Sequence, residues 1–281
     1  MLSYRHAFHA GNHADVLKHF ILCTVLNYFN QKDKPYWVID THAGAGMYAL
    51  QGEFAQKNAE FETGIARLMQ AQNLPETLVD YVNTIKTFNA DHYLSLYPGS
   101  PKIAEHHLRI GDKLRLFELH PSDYKLLLEN FEDKGRQTKI ELQNGFSGIK
   151  ACLPPPTKRA VVLIDPPYEV KDDYQHVVNC IKDSLKRFAT GTYLIWYPLL
   201  QRPEPEAMLN SLLDLGVSDW LNVSLTVQNP SAEGYGMHGS GVFVINPPWT
   251  LPQCLKDSMP TLTSLLALDS NASFQLESHL A

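Results

Sequence analysis

The sequence predicts an α/β protein with a Rossmann-like core, which consists of a seven-stranded, mostly parallel sheet with an antiparallel edge strand and a small helical insertion. Three observations predict this fold. Short apolar runs alternate with helix-length amphipathic segments, the pattern of a parallel sheet covered on both faces. The first run leads into a glycine-rich turn. Two later runs are joined by a glycine-rich loop that contains no helical segment, which favours an antiparallel pair.

The composition is that of a soluble globular protein with a sizeable core. Of the 281 residues, 44% are hydrophobic and 19% are charged. No apolar run reaches the ~18 residues of a membrane span, and the N-terminus lacks the features of a signal peptide. The four cysteines form no CxxC pair, so we expect reduced thiols and a cytoplasmic location. The net charge of −6 argues mildly against a nucleic-acid binder, although basic residues cluster locally at 102–115.

The N-terminal elements follow the hydrophobic pattern. Residues 13–30 are apolar at helical spacing, with Asn12 as the candidate N-cap. The first strand is the run P-Y-W-V-I-D, which continues into the glycine turn D-T-H-A-G-A-G at 40–46. Residues 50–98 contain helical patterns and no convincing strand. We therefore expect a helical insertion subdomain at 50–98, between the first and second strands of the core.

Four further strands are predicted, at 114–118, 139–145, 160–165 and 192–198, with helices at 121–131 and 171–189 between them. The runs at 223–228 and 241–249 form the expected antiparallel pair at the sheet edge. The core is thus expected to comprise residues 1–49 and 99–268, and residues 269–281 are expected to form a loosely ordered tail.

A ligand pocket is expected beyond the carboxyl ends of the strands, where open parallel sheets bind their ligands. The strand ends carry Asp40, Glu118, Asn144 and Asp165. Gly44 would allow a ligand to approach the main chain, Glu118 suits ribose hydroxyls, and Asn144 suits an adenine edge. An adenosine-containing ligand without a pyrophosphate is favoured. The alternative is NAD, because residues 44–49 fit G-x-G-x-x-A, but the acid that ends a strand lies too far downstream for that motif.

The stretch Asp165-Pro166-Pro167-Tyr168 predicts methyl transfer to an amino group. The amino nitrogen of adenine or cytosine is a poor nucleophile because its lone pair is delocalised into the ring. The Asp165 carboxylate and the Pro166 carbonyl can accept hydrogen bonds from that nitrogen, and Tyr168 can stack on the base. The two prolines hold these groups in place before the substrate binds. A merely rigid loop is the alternative. The similar stretch at 246–249, N-P-P-W, is interpreted as structural, since it follows a strand of the antiparallel pair.

Taken together, these motifs resemble those of class I S-adenosylmethionine-dependent methyltransferases, and the whole chain resembles the bacterial RlmJ family, which methylates an adenine N6 in 23S rRNA. The stretches that carry the resemblance lie between residues 3 and 249: S-Y-R-H-A-F-H-A-G-N-H-A-D-V-L-K-H, D-T-H-A-G-A-G, Y-P-G-S-P, E-L-H-P-S-D, I-D-P-P-Y, R-F-A-T-G-T-Y, W-Y-P and I-N-P-P-W.

The resemblance implies a monomer without an obligate protein partner, which acts on naked 23S rRNA during ribosome biogenesis. It implies Asp165 as the catalytic acceptor, beside Pro166 and Tyr168, and substrate RNA near Tyr4, His6 and Lys18. It also implies S-adenosylmethionine contacts from one set of residues: His19, His42, Gly44, Ser100, Glu118, Asn144, Gly145 and Asp165. One departure is that the family commonly has Asp-Gly where this chain has Asn144-Gly145. The amide still accepts a hydrogen bond but brings no charge.

The residues alone leave the N-terminal stretch open. It is polar and weakly basic, and His9 and His13 stand four apart, a spacing found in metal sites on helices. A metal site is not expected, because no carboxylate or thiol completes a set. An ordinary capped segment and an active-site lid are the remaining interpretations. Two other functions stay open as well: a DNA adenine or cytosine amino-methyltransferase, and a non-catalytic RNA-binding module with the same fold.

Overall fold

The strands and helices are described from a computed structural model, which describes residues 6–90, 93–132, 135–234 and 236–280. Tyr4, which the sequence places near the substrate, lies outside the described residues. The strands are β1 (Trp37–Asp40), β2 (Met47–Ala49), β3 (Leu96–Pro98), β4 (Lys113–Glu118), β5 (Thr138–Leu142), β6 (Ala160–Ile164), β7 (Thr192–Leu199), β8 (Trp220–Thr226), β9 (Gly239–Ile245) and β10 (Ser273–His279).

The helices alternate with these strands along most of the chain. They are α1 (His13–Asn30), α2 (Glu53–Asn58), α3 (Ile65–Gln70), α4 (Glu76–Thr87), α5 (Ser100–His107), α6 (Pro121–Glu129), α7 (Gly145–Cys152), α8 (Asp172–Arg187), α9 (Glu204–Leu213) and α10 (Leu251–Leu266). Short 3₁₀ turns lie at His6–Phe8 and Glu60–Glu62.

One eight-stranded sheet forms the centre of the fold, in the order β10-β8-β9-β7-β6-β1-β4-β5. The strands from β5 to β7 in this order are mutually parallel. Their arrangement, with the first strand at the middle and the chain moving outward on each side, is that of a Rossmann-like sheet. The predicted α/β fold class is therefore confirmed, with eight strands in the sheet where seven were expected.

Side chains of the central strands alternate between two hydrophobic clusters, one on each face of the sheet. On β6, Val161 and Leu163 pack with α1 and α10, whereas Val162 and Ile164 pack with α7 and α8. All five residues of β6 are buried. Strands that are covered on both faces need apolar side chains in both directions, which explains the unbroken apolar run before Asp165.

The helix α1 begins where the sequence predicts. The Asn12 side chain accepts hydrogen bonds from the backbone N–H groups of Ala14 and Asp15, at 2.9 and 3.0 Å. This N-cap satisfies two of the donors that a helix start leaves unpaired. Most of α1 is buried, including charged Asp15 and Lys18. The helix therefore brings polar side chains into the interior, which requires partners for them there.

Residues 50–98 have the helical character that the sequence predicts. They contain α2, α3 and α4, and α4 packs against α1 and α10. The sequence did not indicate β3, which pairs antiparallel with β2. The two strands form a short ribbon at the two ends of the insertion, where it joins the core. Each of these strands has only three residues, too short for a hydrophobic alternation to be recognised.

The C-terminal part contains the expected antiparallel pair, β8 and β9, but differs from the expectation in its tail. The strand β9 runs antiparallel to both β7 and β8, and β10, at the edge of the sheet, runs antiparallel to β8, so the predicted antiparallel edge strand is confirmed. The expectation of a loosely ordered tail at 269–281 is wrong for the residues described up to 280, because β10 pairs with β8 along seven residues. Only Phe274 and Leu276 of β10 face the core, and this weak alternation did not stand out beside the polar residues between them.

The N-P-P-W stretch lies at the end of the sheet opposite Asp165. Ile245 pairs with Tyr193, near the start of β7, whereas Asp165 follows the end of the parallel strand β6. The Asn246 side chain donates to the carbonyls of Ala189 and Gly191, at 2.8 and 2.7 Å. These contacts fasten the turn before β7, in agreement with a structural role.

We predict that Phe274→Ala destabilises the fold, because it removes a half-buried ring from the contact between β10 and the core. The expected loss is about 1–2 kcal/mol of unfolding free energy. This corresponds to a Tm lower by about 2–4 °C in a chain of this size. The matched control is Gln275→Ala, on the exposed side of the same strand. Equal Tm values for the two variants would contradict a packed tail.

Candidate active site

A cavity of about 530 Å³ opens at the carboxyl ends of β1, β4, β6 and β7, a volume in the range of small-molecule sites. Every predicted site residue that the structure describes lines this cavity: His6, Lys18, His19, His42, Gly44, Ser100, Glu118, Asn144, Gly145, Asp165, Pro166 and Tyr168. They come together because the carboxyl ends of parallel strands meet at one edge of a sheet.

Glu118 is held against the glycine turn after β1. Its carboxylate accepts from the backbone N–H of Gly44 at 2.7 Å and from that of His120 at 2.6 Å. Burial raises the pKa of this carboxyl group, although the two N–H bonds act in the opposite direction. Each carboxylate oxygen has a further lone pair, so Glu118 can still accept from a ligand hydroxyl.

Asp40, at the end of β1, connects that strand to the start of α5. Its carboxylate accepts from the Ser100 hydroxyl at 2.6 Å and from the His42 N–H at 3.1 Å. Burial raises the pKa of Asp40 to about 6, and it lowers the pKa of His42 to about 3. His42 is therefore a neutral ring at physiological pH, and it packs edge-on against Phe146 at 4.8 Å between ring centroids.

The Asn144-Gly145 pair forms the start of α7 beside the end of β1. A Cβ atom at Gly145 would overlap the carbonyl oxygen of Thr41, so only glycine allows this close approach of the two backbones. Asn144 occupies the N-cap position, but its side chain makes no capping hydrogen bond there. It is exposed and lines the cavity, which leaves its amide available to a ligand.

The Asp-Pro-Pro-Tyr stretch leaves β6 in a fixed shape. Tyr168 has a φ of +50°, which is uncommon for a residue with a side chain. Its hydroxyl donates to the carbonyl of Trp196 at 2.7 Å, and its ring lies 4.5 Å from that of Tyr174. Tyr168 is thus anchored at both ends as a wall of the cavity, with Asp165 at the strand end beside it.

Lys18 lies directly on Asp165. Its Nζ atom is 2.5 Å from Asp165 Oδ2 and 3.0 Å from Asp15 Oδ1. Burial alone would lower the pKa of Lys18, but the two carboxylates outweigh it and raise the pKa above its usual range. The ammonium is therefore charged and 5.8 Å from the centre of the Trp196 ring. At 4% exposure, Lys18 contacts the predicted catalytic carboxylate and is not a surface residue, so direct contact with RNA stays a prediction.

Asp15 organises the site, and the sequence analysis missed it. Its carboxylate contacts His6 Nε2 at 2.8 Å and the Gly11 N–H at 3.0 Å, besides Lys18. Burial would raise the pKa of Asp15, but His6, Lys18 and His19 hold it well below the usual range. The signal was present as D-x-x-K-H at 15–19, since residues three and four apart share one helix face.

His19 is buried next to this cluster. Its Nδ1 forms a hydrogen bond with the Tyr97 hydroxyl at 2.8 Å, and burial lowers the pKa of the ring to about 3.

Within the described residues, no three His, Cys, Asp or Glu side chains are arranged to hold a metal ion. In that part of the chain, no group of metal ligands therefore accompanies the spacing of His9 and His13.

The strand order, the glycine turn after β1 and the Asp-Pro-Pro-Tyr loop after β6 define a Rossmann-like protein of the class I methyltransferase type. A family model described as "Ribosomal RNA large subunit methyltransferase D, RlmJ" matches residues 33–277, and the chain belongs to this family. The resemblance in the sequence is thereby confirmed.

Individual relatives agree over nearly the full chain. Ribosomal RNA large subunit methyltransferase J of Escherichia coli K12 is 48% identical over 95% of this chain and 94% of its own length. The protein of the same name from Haemophilus influenzae is 46% identical over 99% and 98%. A crystal structure of a Legionella pneumophila protein, 36% identical, has a TM-score of 0.89 and covers 96% of this chain and 98% of its own.

No helix in the described part is both long and apolar enough to cross a bilayer.

We predict that His19 makes the fold sensitive to acid. Its folded pKa of about 3 lies below the ordinary 6.5, so the unfolded chain takes up a proton first as the pH falls. The contribution of neutral His19 to the free energy of unfolding is fully present above about pH 6.5. It is lost progressively below that pH, by about 2 kcal/mol at about pH 5. Urea unfolding should show that His19→Gln loses less stability than the wild type between about pH 7.5 and pH 5. An equal loss in both proteins would refute the assignment.

Proposed function

We propose that this protein transfers a methyl group from S-adenosylmethionine to the N6 amino group of an adenine in 23S rRNA. Membership of the RlmJ family and the names of its relatives support this reaction. The observation in the structure that carries the proposal is the Asp165 carboxylate, which ends β6 inside the same cavity as Gly44 and Glu118.

The residues of the cavity fit the proposed cofactor. Among the residues that the structure describes, six acidic side chains line the cavity against a single lysine, Lys18: Asp15, Glu118, Asp123, Asp165, Glu169 and Asp173. An acidic cavity favours a ligand that carries a sulfonium and an ammonium group over one that carries a pyrophosphate. This argues for S-adenosylmethionine and against the alternative, NAD.

Different residues would hold different parts of the cofactor. Glu118 can accept from ribose hydroxyls, Asn144 can bind the adenine edge, and the turn at Gly44 lies against the ligand. His19, His42 and Ser100 line the part of the cavity near Asp40 and Asp15. When it is bound, S-adenosylmethionine supplies an electrophilic methyl group on sulfur.

Asp165 would act on the amino group that is methylated. Attack by an aromatic amine requires its lone pair to leave conjugation with the ring, and one N–H proton must be released. An ionised carboxylate can only accept hydrogen bonds, so it favours both changes when it accepts from that N–H. Lys18 and the prolines keep the Asp165 oxygens in one orientation, which reduces the reorganisation needed during the reaction.

The target adenine would have to leave its stack to reach Asp165, because the carboxylate lies inside the cavity and is only partly exposed. Tyr168 and Trp196 provide aromatic surface beside that position. We expect the enzyme to act as a monomer on protein-free rRNA, in the bacterial cytoplasm where that RNA is made.

We predict that Asp165→Asn abolishes methylation while the cofactor still binds. Turnover on transcribed 23S rRNA should fall at least about a hundredfold, since the neutral amide keeps only one acceptor oxygen, which Lys18 holds, and turns its N–H donors toward the amine. Calorimetry should show a Kd for S-adenosylmethionine within about tenfold of wild type. The matched control is Asp172→Asn, an exposed acid at the start of α8. Near-normal turnover of Asp165→Asn would remove Asp165 from the chemistry.

The polymer that accepts the methyl group can be tested directly. We predict that labelled methyl transfer from S-adenosylmethionine occurs to transcribed 23S rRNA and not to double-stranded DNA, with N6-methyladenosine as the product by mass spectrometry. Transfer to DNA alone would favour a DNA amino-methyltransferase. No binding of S-adenosylmethionine, measured by thermal shift, would favour a non-catalytic RNA-binding module.

A further inference from the structure

The N-terminal segment, defined here as residues 6–12, packs backbone to backbone against the helical insertion. The Ile65 N–H donates to the Gly11 carbonyl at 2.8 Å. A Cβ atom at Gly64 would overlap that carbonyl, so the two chains approach as closely as glycine permits. The insertion therefore supports the segment that leads into α1.

Glu60, in a 3₁₀ turn of the insertion, fastens this segment by its side chain. Its carboxylate contacts His9 Nδ1 at 2.9 and 3.0 Å and accepts from Asn12 Nδ2 at 2.9 Å. The hydrogen bond to Glu60 raises the pKa of His9 despite partial burial. Burial would raise the pKa of Glu60, but His9 and Asn12 lower it. The contact therefore favours the charged forms of both groups, and His13 and Asp15 of α1 also face the pair.

The contacts of Glu60 lead to the catalytic carboxylate. Asn12, which Glu60 holds, is the N-cap of α1. One turn later α1 carries Asp15 and Lys18, and Lys18 contacts Asp165. His9 and Asn12 themselves line the cavity, whereas Glu60 does not. Glu60 can therefore act on the reaction only through the residues it holds.

The charge of the insertion argues against a direct grip on RNA. Residues 50–98 contain three basic residues, Lys57, Arg67 and Lys86, and twice as many acidic ones: Glu53, Glu60, Glu62, Glu76, Asp80 and Asp91. An acidic surface repels phosphates. Support of the N-terminal segment is thus a better account of the insertion than RNA binding.

We propose that Glu60 is a positioning residue, through which the helical insertion holds the N-terminal segment as the substrate-side wall of the active site. The inference rests on the proposed methylation of rRNA. It assigns the insertion a role in orienting the bound RNA base and gives it none in binding the cofactor.

Steady-state methylation of transcribed 23S rRNA tests this role. Glu60→Ala should raise the KM for RNA or lower kcat, with kcat/KM reduced at least about tenfold, because the wall loses its fixed position. The Kd for S-adenosylmethionine should stay within about twofold of wild type. Glu60→Gln should recover part of the activity, since its amide oxygen can accept from one of the two donors. The control Glu62→Gln removes a charge from an exposed side chain of the same turn and should behave as wild type.

NMR of the imidazole groups tests the contact without any enzyme assay. The pKa of His9 should lie above 6.5 in the wild type and in Glu62→Gln. It should be lower than in the wild type in both Glu60 variants, because burial remains while the carboxylate is gone. Amide hydrogen exchange at residues 6–12 should accelerate in Glu60→Ala and stay slow in β7.

These measurements separate the possible failures. A wild type that methylates no rRNA adenine refutes the proposed function, while the NMR result still decides whether Glu60 holds His9. Wild-type kcat and KM in Glu60→Ala overturn the positioning role. So does equal damage in Glu60→Ala and Glu62→Gln, or a cofactor Kd that weakens in parallel with kcat/KM.

Discussion

The site depends on contacts among three ionisable side chains: Asp15 and Lys18, which are buried, and Asp165, which is partly exposed. Lys18 bridges the two carboxylates, at 3.0 and 2.5 Å, from a side chain that is 5% exposed. Burying ions costs several kcal/mol each, and removing one partner leaves the others uncompensated. The folded state is therefore stable only when all three side chains stay in contact, because loss of one destabilises the other two. Because Asp15 and Lys18 belong to α1 and Asp165 follows β6, this constraint fixes the N-terminal helix against the carboxyl end of the sheet.

This constraint explains why a segment far from Asp165 in sequence belongs to the site. Asp15 also binds the Gly11 N–H and His6, so the chain before α1 is drawn to the same point. Residues 6–12 are thus held by two carboxylates, that of Asp15 in α1 and that of Glu60 in the insertion. The lid interpretation of the N-terminal stretch and the capped-segment interpretation are compatible, since Asn12 is the N-cap and also lines the cavity.

The sequence predicted those parts of the site that follow from local pattern. Asp165 and Glu118 could be placed because an apolar run ends at each of them, and parallel strand ends meet at one edge. Asp15 was missed although its spacing to Lys18 and His19 is local. Glu60 could not be placed, because its partners His9 and Asn12 lie 51 and 48 residues away in sequence and depend on how helices dock. The contact of Lys18 with Asp165, which lies 147 residues away in sequence, was missed for the same reason. The strand β10 was missed for a different one: its inward face has two apolar residues, and its outward face resembles a polar tail.

An acidic cavity also bears on how an enzyme with a net charge of −6 can select its base. The six carboxylates and one ammonium that the described part of the chain brings to the cavity repel phosphate groups, so the RNA backbone is disfavoured inside it. A stacked nucleotide would have to bring its phosphates along, whereas an extruded base enters alone and meets Asp165, Tyr168 and Trp196. In the proposed reaction, phosphate contacts then have to lie outside the cavity. The same charges that would attract a sulfonium cofactor in this proposed reaction would also favour a single base that has left its helix.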